Sequence, residues 1–100
     1  FFDAHGQPIT GKLEEKIKFG YAQGEFIRYH NTKTNAITWI ENTKEGSTFH
    51  FVETRQSNEF YYLKAKGRNI DIRIPLKGGD SQLSTNQGAT WGYFQKMYVL

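Results

Sequence analysis

The chain reads as an all-β protein, a single-domain antiparallel meander of about seven strands, and three observations predict this class. Apolar and polar residues alternate at period two over most of its length, and polar breaks recur about every ten residues. Aromatic residues make up 16% of the 100 positions, a share that suits pleated strands. The competing helical pattern is confined to Leu13–Ile17, one turn at most, which is too short to stand alone.

The first strand runs from Lys16 to Ala22, with Ile17, Phe19 and Tyr21 on one face, and Gln23-Gly24 turns the chain. The second spans Glu25–His30 and is followed by the polar loop Asn31–Asn35, whose asparagines tolerate left-handed backbone. The third is Ala36–Glu41. After a break at Lys44-Glu45-Gly46 the fourth covers Thr48–Arg55, where Phe49 and Phe51 alternate with His50 and Val52. Gln56-Ser57-Asn58 leads into the fifth, Glu59–Lys66, with Tyr61, Leu63 and Ala65 opposite Phe60, Tyr62, Lys64 and Lys66.

Gly67-Arg68 makes a short hairpin connection to the sixth strand, which has the clearest alternation: Ile70, Ile72, Ile74 and Leu76 share one face, Asp71, Arg73 and Pro75 the other. Lys77–Thr90 lacks periodicity and reads as one long loop, the kind that in a small domain is functional or mobile. The last strand, Trp91–Leu100, is bulky on both faces and is expected in the sheet interior, covered on both sides. Hairpin connections throughout favour a meander, closed either as a β-sandwich or as a small β-barrel. The sandwich is the first expectation, because strands two and seven show no clean inward face of the kind a filled barrel needs.

Size and composition bound the rest. One hundred residues give one domain, 1–100, with room for one core. The absence of cysteine excludes a disulfide-stapled mini-domain, a thiol nucleophile, a thiolate zinc site and an iron–sulfur cluster. No apolar run approaches the roughly 20 residues of a membrane-spanning helix. A chain that opens Phe1-Phe2 without methionine reads as a processed mature protein or an excised domain. The net charge of +3 is unevenly placed, since Lys64, Lys66, Arg68, Arg73 and Lys77 crowd into one stretch opposed only by Asp71.

Two surface groups carry candidate binding chemistry. The loop and the start of the last strand combine Asp80, Asn86 and Gln87, which donate and accept hydrogen bonds, with the flat apolar surfaces of Trp91 and Tyr93. A sugar ring has hydroxyls on its rim and C–H groups on its faces, so it needs that mixture. The second group is the outer face of the fifth–sixth hairpin, where Phe60, Tyr62, Lys64, Lys66, Arg68 and Arg73 mix cations with rings, as single-stranded nucleic acid or an acidic polysaccharide requires. The plain alternatives are a tryptophan in the core and a solvated strand face whose lysines discourage edge pairing.

Catalytic chemistry is thinly supported. His50, Glu53 and Arg55 lie close in sequence and, with His30 or His5, resemble the acid, base and cation of a metal-independent ribonuclease. On a regular strand, however, His50 faces away from Glu53 and Arg55 unless a bulge intervenes. No metal-ligand spacing, nucleophile elbow or phosphate loop occurs, so no cofactor or metal is expected. The sequence therefore points first to a non-catalytic, lectin-like module whose partner is a glycan. A nucleic-acid or polyanion-binding domain comes second, and a small protein inhibitor, an adaptor or a ribonuclease third.

Overall fold

A computed structural model describes the backbone of residues 13–100 and the side chains of residues 17–100. Eight strands follow one another in chain order: β1 (Leu13–Tyr21), β2 (Gly24–Asn31), β3 (Ile37–Thr43), β4 (Thr48–Gln56), β5 (Phe60–Ala65), β6 (Asp71–Pro75), β7 (Gly79–Ser84) and β8 (Gly92–Val99). Each pairs antiparallel with the next, and β8 returns to β1, so the meander closes as a barrel. The closing seam is short: Phe19 pairs with Val99 and Gly20 with Tyr98, and the Leu100 amide donates to the Lys18 carbonyl at 2.9 Å. His5 and the remainder of residues 1–12 lie outside the described residues. Leu13–Ile17, the one helical alternative, is strand. Among the described residues no helix is long and apolar enough to cross a membrane.

The sheet takes the barrel form rather than the sandwich, and the two strands that argued against closure explain why. On β2 an inward position is held by Arg28, whose register partners Ile17 and Trp39 also point inward. The sequence pattern looked broken there because a charged residue belongs to the core. On β8 the phase changes midway. Asp80 pairs with Lys96 while Gln82 pairs with Tyr93, so Phe94 and Gln95 together oppose Ser81 in a bulge. The Ser81 hydroxyl, fully buried, staples it by donating to the Gln95 carbonyl at 2.6 Å and accepting from the Gln95 amide at 3.2 Å. Two inward residues of opposite parity, Phe94 and Met97, result.

The predicted Lys77–Thr90 loop is also corrected, because β7 occupies Gly79–Ser84 inside it. Of its residues only Leu83 is a large apolar one, and ladder pairing with β6 and β8 makes the strand where hydrophobic alternation gives no signal. Nor is β8 covered on both sides: Tyr93 is 65% and Tyr98 56% exposed. Gly24 belongs to β2 rather than to the turn, paired with Tyr21 and Thr43, and a Cβ there would lie 2.1 Å from the Asn42 carbonyl oxygen.

The interior is filled by Phe19, Phe26, Trp39, Phe51, Tyr61, Leu63, Ile72, Ile74 and Met97, all at most 5% exposed. Their rings meet in tilted contacts, such as Trp39–Tyr61 at 5.2 Å and Phe26–Phe51 at 5.6 Å between centroids. Two polar pairs share this interior. Arg28 donates from Nε and an Nη to the two oxygens of Glu53 at 2.8 and 3.0 Å, and the Trp39 indole donates to Glu53 Oε1 at 2.9 Å. The Tyr21 hydroxyl donates to Glu41, which is buried.

Breaking a buried ion pair from one side strands the other charge. Arg28→Met is expected to cost about 3–5 kcal/mol in urea unfolding. The double variant Arg28→Met/Glu53→Gln is expected to recover most of that loss, because the neutral amide that replaces the Glu53 carboxylate still accepts from the Trp39 indole. A second expectation concerns high pH. Burial, then the hydrogen bond to Glu41 and that carboxylate's charge, hold the Tyr21 phenol well above its ordinary 10.0. Burial likewise raises Tyr61, with Arg28 opposing and Glu53 adding. The folded state therefore keeps protons that the unfolded chain releases. This stability is intact below about pH 10 and is lost as pH rises through the folded values. Unfolding free energies measured from about pH 9 to about pH 11 are expected to fall, and Tyr21→Phe to flatten the fall.

Candidate functional site

Alternation along β4 places Phe51 and Glu53 inside the barrel and would place Arg55 there too. A bulge prevents this: Glu53 pairs with Leu63 but Arg55 with Tyr62, leaving Thr54 as the extra residue. The Thr54 hydroxyl donates to the Tyr62 carbonyl at 3.2 Å. Arg55 consequently emerges on the outer surface, where its guanidinium lies 3.7 Å from the Tyr62 ring centroid. The outer row continues across the sheet, with Tyr62 opposite Arg73, Arg73 opposite Gln82 and Gln82 opposite Tyr93.

The β7–β8 connection folds over this row. The buried Ser84 hydroxyl accepts from the amides of Gly88 at 2.8 Å and Asn86 at 3.3 Å, and donates to Asn86 Oδ1 at 2.7 Å. Asn86 in turn holds Thr90 through Oδ1 and Nδ2 at 3.0 and 2.8 Å. Gln87 and Gly88 take left-handed backbone, φ 60° and 85°. For a glutamine this is uncommon and has to be held by its surroundings. A Cβ at Gly88 would touch the indole of Trp91, whose Cζ2 lies 3.4 Å from its ideal position.

This clamp delivers Trp91 to the hairpin. Its ring meets Tyr62 edge to face, 6.0 Å between centroids, and Tyr62 meets Phe60 likewise at 6.0 Å. The Arg73 guanidinium is sandwiched between Phe60 and Trp91, 4.7 and 4.5 Å from their centroids, and its Nε donates to Gln82 Oε1 at 2.5 Å. Arg73 thus stands behind the indole as a rigid prop. On the other side Trp91, Tyr62, Arg55, Thr54, Asp71, Gln87 and Gly88 enclose a cleft of about 220 Å³. Asp71 Oδ1 receives Lys64 Nζ at a long 3.4 Å.

The two groups expected from sequence therefore meet in one place, though not in full. Trp91 and Gln87 come together with Tyr62, and Phe60 and Arg73 stand behind them. Asn86 spends its amide on the loop. Asp80 lies at the far end of β7 opposite Lys96. Tyr93 points to a separate shallow groove that it shares with Gly20, Tyr98 and Leu100. Lys66 is exposed beyond the end of β5, and Arg68 leaves the hairpin face to cover Phe49 and Phe51 at one barrel mouth, 4.4 and 5.6 Å from their rings.

Arg55 and Thr54 escaped the sequence reading of the binding face, because their outward placement depends on a bulge that leaves no local mark. The ribonuclease trio is not assembled. The bulge carries Arg55 to the outer side that His50 faces, whereas Glu53 points inward and is held by Arg28 and Trp39. His30 instead contacts Asn35 at 3.1 Å beside the β2–β3 loop. No cluster of metal-binding side chains occurs among the described residues. Comparison with protein families, with curated proteins and with solved structures finds no match for the chain.

Proposed function

We propose that the protein is a non-catalytic carbohydrate-binding module and that the cleft beneath Trp91 is its sugar site. The observation that carries this is the cleft's mixed lining. Two aromatic rings set 69° apart form apolar walls, and Gln87, Thr54, Asp71 and Arg55 place planar or hydroxyl polar groups around them. A pyranose offers the matching surfaces, C–H faces to the rings and hydroxyls to the polar rim. At about 220 Å³ the cleft is smaller than the roughly 300–1,000 Å³ of drug-sized pockets, which limits it to a single sugar ring.

The same geometry disfavours nucleic acid. Lys66 and Arg68 leave the patch, and the carboxylate of Asp71 lines the cleft, where a phosphate backbone would meet repulsion.

On a glycan array probed beside an oligonucleotide panel, retention is expected on a subset of glycans. Trp91→Ala is expected to reduce it at least about tenfold, the loss of a desolvated aromatic anchor. Because few charges are engaged, retention should change little between low and moderate salt, whereas a polyanion surface would lose it steeply. Unaltered glycan retention by Trp91→Ala, with near-native circular dichroism, would sink the proposal.

A further inference from the structure

Arg55 is exposed, with its guanidinium carbon 3.7 Å from the Tyr62 ring centroid, yet among the described residues its guanidinium makes no hydrogen bond or ion pair. Its five donors are unspent, and the contact with the ring limits how far they can move. This side chain reaches the cleft only because β4 inserts Thr54, and bulges that re-aim a side chain are frequent beside functional sites. Asp71, in the same cleft, has among the described residues only the distant Lys64 ammonium as side-chain partner, and its second oxygen accepts from none of them.

A cleft with one oriented guanidinium and one available carboxylate suits a ligand of a particular kind. The ligand carries a single anionic group toward Arg55 and neutral hydroxyls toward Asp71. A second anionic group near Asp71 would be repelled, which separates this ligand from a densely charged chain.

We infer that the sugar taken by the cleft bears a carboxylate, a uronic-acid type of unit, and that Arg55 is the residue that selects it. This rests on the cleft being a saccharide site. The planar fork of arginine matches a planar carboxylate through two parallel hydrogen bonds, and an ammonium at the same place does not. Gln87 and Asp71 then read the hydroxyls, while Arg73 acts as a positioning residue that sets the angle of the Trp91 ring.

The experiment is calorimetric titration with short glucuronate-, galacturonate- and mannuronate-containing oligosaccharides, each against its own methyl ester, which keeps the ring and removes the charge. At least one acid is expected to bind at least about tenfold more tightly than its ester. Arg55→Lys is expected to remove most of that preference, because a point charge replaces the planar fork. An acid and ester that bind alike would overturn the carboxylate inference and leave the saccharide site standing. Retention of the preference in Arg55→Lys would overturn the fork, reducing Arg55 to a point charge. If no saccharide of the panel or of a glycan array binds, the site reading itself falls. Oligothymidylate or a sulfated polysaccharide bound as tightly as the uronates, and lost steeply with salt, would replace both by a polyanion surface.

Discussion

One extra residue in β4 ties the core of this barrel to its surface. At the Thr54 bulge the chain leaves Glu53 inside, bidentate to Arg28 and accepting from the Trp39 indole, and delivers Arg55 outside onto the Tyr62 ring. A regular strand would send both side chains to the same face and bury a second arginine in an interior that has one carboxylate to offer this group. The cost of an unpaired buried charge would be several kcal/mol (about 3–5). The bulge is therefore a condition for filling this end of the barrel and for building the cleft.

Closure also explains the unusual weight of polar groups inside so small a core. Eight short strands leave no sheet edge to manage, but all inward side chains must fit one narrow space. Aromatic rings fill most of it. Arg28–Glu53–Trp39 and Tyr21–Glu41 occupy the remainder as hydrogen-bonded groups, and none of the buried side-chain polar atoms among the described residues lacks a partner. Such pairs add little to stability over a well-packed apolar core, yet losing one member is costly, so they resist substitution strongly.

The outer site obeys the same economy of cations and rings. Each guanidinium near it rests on an aromatic face: Arg55 on Tyr62, and Arg73 between Phe60 and Trp91. This is why the stretch from Lys64 to Lys77, which in sequence looks like one charged surface, divides in space. Arg73 becomes a prop, Arg68 covers one barrel mouth, and Lys64 leans on Asp71. Of the groups named from sequence, Trp91, Gln87 and Tyr62 line the cleft, because aromatic and planar polar residues are recognisable one by one. Arg55 was legible only as a cation on an expected inward position.

Periodicity alone dictated the all-β class, the antiparallel order of the strands and the inward faces of β1, β5 and β6, since alternation is a local property that each strand carries by itself. It was blind to β7, whose residues lack a hydrophobic pattern and become strand through pairing on both sides. Barrel against sandwich, the inward turn of Arg28, and the meeting of Trp91 with Tyr62 were decided by tertiary structure. Each depends on register between segments distant in the chain, and register moves by one residue at every bulge. A loop that read as a structureless connection proved to be a strand followed by a clamp, and the clamp holds the indole that completes the cleft.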